Sequence, residues 1–202
     1  CNYFNQHAEF AIRALDRGIP VFSECTSGAT LRDCVLLCEA VERNNGKYMI
    51  AENYPFSPAL LEMERLNREG TLGRILYAEG EYIHDCSSIW PQITYGERDH
   101  WRNRLYSTFY CTHAIGPMVA LSGSRICRVN CFGSGTMEDW LHEQYGNPFP
   151  VESALFEFEN GIKGEATRSL FECARVYQEG MFVYGSDACF ERGFADGDDP
   201  FI

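Results

Sequence analysis

Tyr110 and His113 form the residue pair of this sequence that is best suited to moving protons. They lie three positions apart in the segment 106–123, and in a helix this spacing places both side chains on one face. A phenol and an imidazole so placed can act as a proton-transfer pair. Apolar residues such as Met118 and Leu121 would anchor this helix in a core. From the pair alone, the simpler interpretation is a helix in which both side chains satisfy local hydrogen bonds.

Carboxylates follow two apolar runs in the first quarter of the chain. Glu24 ends the run 19–24 and enters a loop rich in Gly, Ser and Thr, while Glu52 ends the run 47–52 and is followed by Asn53. In an open parallel sheet, ligands bind at the carboxyl ends of the strands. Both glutamates are therefore well placed to touch a cofactor or substrate, and the alternative for each is a loop acid that faces water.

Two further polar pairs lie near element boundaries. His84 and Asp85 end a long alternating segment, and Trp101 and Arg102 precede the segment 106–123. A His–Asp pair can orient an imidazole or bind a hydroxyl, and an aromatic ring beside a guanidinium is common in sugar and carboxylate sites. A plain strand end and ordinary packing explain these pairs equally well. The five histidines show no metal-ligand spacing, so no metal site is predicted.

The composition limits the classes of partner. The chain has 202 residues and a net charge of -12, whereas binding to nucleic acid requires a basic face. No apolar run is long enough to span a bilayer, so no membrane partner is predicted. The ten cysteines contain no Cys-x-x-Cys pair. Buried, reduced thiols in a cytoplasmic protein are therefore favoured over the alternative of a disulfide framework.

The periodicity of apolar residues predicts two different architectures, one after the other along the chain. Helices over 7–17 and 31–44, the second capped by Thr30, alternate with the two apolar runs, a pattern typical of α/β structure with a parallel sheet. A third helix, with Ser57 as its cap, reaches residue 69. The remaining segments read as strands joined by short turns, which indicates a mainly antiparallel sheet: 74–84, 125–133, 151–159, 162–170 and 177–191, the last broken at Gly185.

Four segments in this order resemble the glucose–fructose oxidoreductase/inositol dehydrogenase/MocA-type family. Residues 7–24 are similar to a helix and strand of that family's nucleotide-binding domain, which lead into a Glu-Lys-Pro motif. Residues 69–74 resemble the entry to its second domain, and the His-Ala-Ile-Gly-Pro sequence at 113–117 resembles its active-site helix. Residues 184–188 resemble a later strand with a Gly-Thr-x-Gly turn.

The resemblance implies the fold class and the cofactor. Residues 1–54 would be the C-terminal part of a Rossmann domain, and residues 55–202 an α+β domain whose large open sheet binds substrate and joins a homo-oligomer. The cofactor would be NAD, with NADP left open, and the substrate a sugar or glycoside. We expect the chain to be an excerpt that lacks the first Rossmann half and its Gly-rich phosphate loop. Seven residues would contact ligands: His7, Glu24 and Asn53 the cofactor, and Glu52, His84, Trp101 and Arg102 the substrate.

Two departures narrow the resemblance. Cys25 replaces the family's lysine, and Phe109 stands where sugar dehydrogenases carry Asp. The segment 110–117 is instead similar to the Tyr-x-Thr-His-x-x-Gly-Pro segment of the NAD-dependent α-N-acetylgalactosaminidases, a branch that also replaces the lysine. That branch oxidises the sugar C3 hydroxyl transiently, which acidifies the C2 proton and permits elimination of the aglycone. The resemblance implies that Tyr110 is the base and that His113 binds substrate hydroxyls.

Three functions remain open at this point. The first is an NAD(P)-dependent sugar oxidoreductase, and the second is the redox-neutral glycosidase just described. The third is a non-catalytic sugar-binding relative, since both the lysine and the aspartate are absent. Retention of Tyr110 and His113 weighs against the third.

Overall fold

A computed structural model describes residues 2–135, 137–146, 149–192, 200 and 202. The chain divides into two compact units, Cys1–Asn53 and Tyr54–Ile202. Each unit has its own hydrophobic core. No helix in the described ranges is long and apolar enough to cross a membrane.

The first unit alternates helices and strands. A short 3-10 turn, Phe4–Gln6, leads into α1, His7–Leu15; then follow β1, Val21–Ser23, α2, Leu31–Arg43, and β2, Tyr48–Ile50. The two strands pair in parallel, as the α/β pattern predicts. A small apolar core of Ala11, Leu15, Leu37 and Ala40 lies where α1 and α2 pack together.

Local sequence accounts for the ends of these helices. Thr30 caps α2 as predicted, and with Asp33 it forms a complete capping box. Gly18 follows α1 with φ +72°, a left-handed conformation that glycine adopts without strain. Ser57 precedes the third helix as predicted, but its side chain makes no capping hydrogen bond there.

The second unit is built on a six-stranded sheet in the order β4-β5-β6-β3-β7-β8. Neighbouring strands pair antiparallel except β3 and β6, which pair in parallel, so the sheet is mixed but mainly antiparallel. In chain order the strands are β3, Ile75–Ile83; β4, Ile126–Gly133; β5, Val151–Phe158; β6, Lys163–Ser169; β7, Met181–Gly185; and β8, Cys189–Glu191. The predicted break at Gly185 therefore separates β7 from β8.

Four helices accompany this sheet: α3, Pro58–Arg68; α4, Trp90–Ile93; α5, Thr112–Ser122; and α6, Asp139–Tyr145. Leu60 and Met63 of α3, together with Met118 of α5, share one core with sheet residues Phe156 and Phe158. Each of these five side chains is almost completely buried. This core fixes α5, and with it the candidate site, against one face of the sheet.

Three expectations need correction. The predicted helix over 106–123 is two elements, a 3-10 turn at Ser107–Tyr110 and α5, because Cys111 between them leaves helical geometry at φ −111° and ψ 21°. The segment 85–105, for which the sequence predicts no helix or strand, contains α4 and a 3-10 turn at Trp101–Arg104. The short helix α6 has no counterpart in the predicted elements.

The cysteines are also less buried than predicted. All nine that the structure describes are free thiols, but Cys38, Cys127, Cys131 and Cys189 are exposed. Two of them lie on β4, an edge strand whose central residues face solvent. Among these nine described cysteines, burial as small hydrophobic groups therefore holds for Cys25, Cys86 and Cys111.

Candidate active site

Tyr82 lies at the centre of a cluster of aromatic side chains in the second unit. Its ring centroid is 4.8 Å from that of His113, 5.8 Å from His84, 6.1 Å from Tyr110 and 6.2 Å from Tyr177. Tyr82 itself is buried. Two phenols and two imidazoles are thus assembled around one buried phenol, which is a constellation suited to proton transfer.

The elements of the sheet and of α5 position this cluster. Tyr82 is near the end of β3, and His84 follows that strand directly. His113 lies in the first turn of α5, while Tyr110 ends the preceding 3-10 turn. The rings of Tyr110 and His113 are 5.4 Å apart, so the predicted pair is brought together although the two residues do not share a helix.

A glycine allows α5 to lie directly on β3. A Cβ atom placed on Gly80 would lie 2.2 Å from the carbonyl oxygen of Ala114. Only a residue without a side chain fits this close approach of two backbones. Because Ala114 follows His113, this contact sets the distance between His113 and the strand that carries Tyr82.

His84 provides a hydrogen-bonding partner for the central phenol. The Tyr82 hydroxyl and Nδ1 of His84 are 3.1 Å apart. Burial lowers the pKa of His84 below its ordinary value of 6.5, and the charge of Arg168 lowers it further. A neutral His84 with an unprotonated Nδ1 can accept the hydrogen bond that the phenol donates.

Arg168 lies beneath the cluster and is 2% exposed. Its guanidinium carbon is 4.1 Å from the centre of the Tyr82 ring. Nε donates to the carbonyl oxygen of Tyr110 at 3.2 Å, and one terminal nitrogen donates to the carbonyl oxygens of Tyr82 and His84, each at 3.3 Å. One buried cation therefore ties together two segments that carry site residues, the end of β3 and the 3-10 turn that precedes α5.

A second layer of tyrosines is held by Glu179. The Tyr54 hydroxyl donates to the Glu179 carbonyl oxygen, and the Tyr177 hydroxyl donates to the Glu179 carboxylate. The ring of Tyr54 lies 5.7 Å from that of His113, and the ring of Tyr177 lies 4.9 Å from that of His84. Tyr177 is half exposed, so the cluster extends from a buried phenol to the protein surface.

The predicted Trp101–Arg102 pair also forms. The guanidinium carbon of Arg102 lies 4.6 Å from the centre of the Trp101 indole, a cation–π arrangement. Trp101 packs on the other side against His100 at 5.3 Å. The pair presents an aromatic surface and a positive charge side by side, as a site for a polar ring compound requires.

The first unit contains the predicted groups that follow β1 and β2. The buried Glu52 carboxylate accepts a hydrogen bond from the Cys25 thiol, with 3.3 Å between sulfur and oxygen. Asn53 and Glu24 are exposed, and Glu24 accepts from the backbone N–H of Cys25. Cys25, which stands where the family has lysine, therefore binds the carboxylate at the end of the neighbouring strand.

An open groove of about 620 Å³ runs along α1 and β1 in the same unit. Glu24, Phe10 and Phe22 line it, and so does His7. Nδ1 of His7 lies 2.9 Å from the carbonyl oxygen of Thr26, and this contact joins the loop after β1 to α1. His7 thus has a structural partner in addition to its predicted role in cofactor binding.

Sequence reasoning missed the roles of Tyr82 and Arg168. Tyr82 lies in the same alternating segment as His84 but carries no motif of its own. Arg168 lies in a predicted strand between Ala166 and Leu170, both buried. A charged residue alternating with buried apolar residues is the signal that could have identified it, because a buried charge requires specific partners. In the part of the chain that the structure describes, no group of three His, Cys, Asp or Glu side chains could hold a metal ion.

The fold of the chain is similar to that of Rossmann-type dehydrogenases. The inositol dehydrogenase homolog of Azotobacter vinelandii, solved with NADH and myo-inositol, superposes on the chain with a TM-score of 0.76 at 19% identity, over 100% of this chain and 54% of that one. The myo-inositol 2-dehydrogenase of Lactobacillus plantarum superposes with the same TM-score at 16% identity. The predicted fold class is confirmed.

Sequence relatives point to one branch. A glycosyl hydrolase family 109 protein of Saccharopolyspora erythraea is 28% identical over 181 residues, which cover 85% of this chain and 39% of the relative. An alpha-N-acetylgalactosaminidase of Bacteroides fragilis is 29% identical over 125 residues, or 58% of this chain and 29% of the relative. The chain thus spans well under half the length of these curated relatives. No protein-family model matches it. The resemblance predicted from the sequence is confirmed.

Proposed function

We propose that the protein is an NAD-dependent enzyme that acts on a sugar or glycoside by hydride transfer at a ring hydroxyl. The observation that carries this proposal is the cluster of Tyr82, His84, Tyr110 and His113, which gathers proton-transfer groups at the end of one strand. The relatedness to family 109 glycosyl hydrolases favours the redox-neutral glycosidase over a net dehydrogenase.

The first unit offers groups that fit part of a dinucleotide. Glu24 supplies a carboxylate that can accept hydrogen bonds from ribose hydroxyls, and Asn53 supplies an exposed amide. Phe10 and Phe22 give the nearby groove an apolar wall. Glu24, His7 and Asn53 would hold the cofactor, while phosphate binding requires a Gly-rich loop that this sequence does not contain. When bound, NAD would accept a hydride from C3 of the sugar and later return it.

The chain's own side chains would handle the protons. His113 would bind the C3 hydroxyl and take its proton as the hydroxyl is oxidised. A ketone at C3 acidifies the neighbouring C2 proton, so a tyrosine can remove it while the bond from C1 to the aglycone breaks. Addition of water across C1 and C2, with return of the proton to C2, would give the 3-keto sugar. Return of the hydride to C3, with His113 giving the proton back to the C3 oxygen, would then restore the hydroxyl. Glu52, His84, Trp101 and Arg102 would bind the remaining polar groups.

Two tyrosines can serve as the base for the C2 proton. The sequence resemblance points to Tyr110. The structure adds Tyr82 as a candidate, because its hydroxyl is hydrogen-bonded to His84 and its ring lies over the Arg168 guanidinium. Replacement of the base by Phe should nearly abolish turnover without weakening cofactor binding.

Solvent deuterium tests the proposed chemistry. If glycoside cleavage proceeds through loss of the C2 proton, the sugar released in deuterium oxide carries deuterium at C2, which proton NMR detects. The Tyr82→Phe and Tyr110→Phe variants identify the base, and Tyr106→Phe is a matched control because Tyr106 is an exposed phenol in the same unit. Cleavage without deuterium at C2 would contradict the proposal.

One face of the six-stranded sheet carries exposed apolar residues, and this face supports a proposed homo-oligomer. Phe132, Leu155 and Tyr184 lie on this face, and they are 75%, 49% and 47% exposed. Apolar surface of this kind marks association sites. A Leu155→Asp substitution should shift the sedimentation coefficient toward that of the monomer, whereas an unchanged coefficient would contradict this interface.

Free thiols and an acidic composition support the remaining assignments of location and partner. The nine described cysteines are free thiols, which fits a cytoplasmic location. The net charge of -12 argues against a nucleic-acid partner. Fractionation of cells that express the tagged protein tests the location.

A further inference from the structure

Arg168 has surroundings that hydrophobic packing alone does not explain. It lies on β6 directly opposite Tyr82 of β3 and Glu152 of β5, so the three residues form one row across the sheet. Arg168 and Glu152 are both buried. Glu152, however, accepts hydrogen bonds from the backbone N–H and the hydroxyl of Thr108, and it makes no ion pair with Arg168.

The guanidinium is satisfied by dipoles and by an aromatic face. Its hydrogen bonds go to the three carbonyl oxygens of Tyr82, His84 and Tyr110. Among the residues that the structure describes, no carboxylate lies within ion-pair distance of Arg168. A buried cation that is neutralised by no anion attracts any negative charge that forms nearby, and the Tyr82 ring centre is only 4.1 Å away.

We infer that Arg168 is a positioning residue that holds Tyr82 in place and favours its phenolate form, an inference that rests on the proposed function. The hydrogen bonds from Arg168 hold the backbone carbonyl groups of Tyr82, His84 and Tyr110 in place. Its charge stabilises the negative oxygen that Tyr82 must carry to remove a proton from substrate. The Tyr82 hydroxyl meanwhile donates to His84, which burial keeps neutral and therefore able to accept.

Other charged and titratable groups also surround Tyr82, and together with Arg168 they determine the charge of His84 and the electrostatic environment of the Tyr82 phenol. Arg168 on β6 and His113 on α5 oppose positive charge on His84, whereas Asp85 and Glu179 favour it. Burial raises the pKa of Cys111 to about 12 and also raises the pKa of Cys86, so neither thiol supplies a competing anion near neutral pH. The Arg168 guanidinium, whose carbon is 4.1 Å from the centre of the Tyr82 ring, is thus a permanent positive charge in contact with that ring.

The test measures the ionisation of one tyrosine directly. The tyrosinate absorbance of the intact protein is titrated with pH, and the same titration of Tyr82→Phe is subtracted to isolate Tyr82. We expect Tyr82 to titrate below the ordinary value of about 10. In Arg168→Gln its midpoint should rise by about 1–3 units, and Arg168→Lys should restore part of the shift. Arg125→Gln removes an exposed arginine of the same unit and should leave the midpoint unchanged.

One further readout separates positioning from mere structural support. The acid limb of the kcat profile should move with the Tyr82 midpoint, which a residue that only stabilises the fold would not cause. If Arg168→Gln does not fold, the wild-type titration still decides, since a Tyr82 midpoint at or above 10 overturns the inference. An identical midpoint in wild type and in folded Arg168→Gln also overturns it. A shifted midpoint without any glycoside turnover would instead contradict the proposed function and leave the effect of Arg168 standing.

Discussion

Replacement of Gly80 by alanine should displace the helix that carries His113. A Cβ atom at Gly80 would lie 2.2 Å from the Ala114 carbonyl oxygen, whereas ordinary contact begins at 3.4 Å. The backbones of β3 and α5 must therefore separate by about 1.2 Å. Overpacking of this kind costs about 1–3 kcal/mol of stability. A misplacement of about 1 Å at a catalytic group lowers activity by roughly 100-fold.

The assay compares Gly80→Ala with a matched substitution on the same face of the sheet. A Cβ atom at Gly164 would lie 3.0 Å from the Met118 sulfur and 3.2 Å from the Ala78 carbonyl oxygen, and both contacts are relieved by shifts of a few tenths of an ångström. Gly164→Ala should therefore keep most of the activity and stability. Both variants are measured by urea unfolding and by glycoside turnover. If Gly80→Ala retained wild-type turnover and wild-type stability, the close approach of α5 would not be what positions His113.

Three further predictions concern helix capping, pH dependence and cofactor binding. Thr30→Ala should destabilise the first unit by about 1 kcal/mol in urea unfolding, because it removes half of the capping box, and Thr30→Ser should not. Burial lowers the pKa of His84, so the unfolded chain binds a proton at a pH at which the folded chain does not. The free energy of unfolding should therefore fall as the pH drops below 6.5, and His84→Gln should make its dependence on pH less steep. The isolated 202-residue chain should bind NAD weakly or not at all in calorimetric titration, since its sequence has no Gly-rich phosphate loop. Tight binding would contradict the claim that NAD binding requires such a loop.

Local sequence was sufficient to predict most of the elements. The apolar runs at 19–24 and 47–52 form parallel strands because buried strands with short helical crossovers have few alternatives. Thr30 with Asp33 marks the start of α2, and Gly185 marks the break between β7 and β8. The same reasoning brought Tyr110 and His113 together, although it required a helix that Cys111 interrupts.

The features that were not predicted depend on contacts between distant strands. The parallel pairing of β3 with β6 places Arg168 opposite Tyr82, across 86 positions of sequence, and no local pattern encodes this register. The close approach of Gly80 to Ala114 likewise requires the position of α5 on the sheet. The exposed thiols of β4 follow from its place at the edge of the sheet, which strand propensity does not determine.

The central claim is tested most directly by following two signals in one cuvette. The full-length protein, rather than the isolated 202-residue chain, is mixed with NAD and a panel of chromogenic α- and β-hexosaminides and hexosides, and NADH absorbance and aglycone release are recorded together. We expect aglycone release without net NADH, because the hydride taken from C3 is returned to it. Stoichiometric NADH without aglycone release would show a net dehydrogenase and contradict the redox-neutral glycosidase.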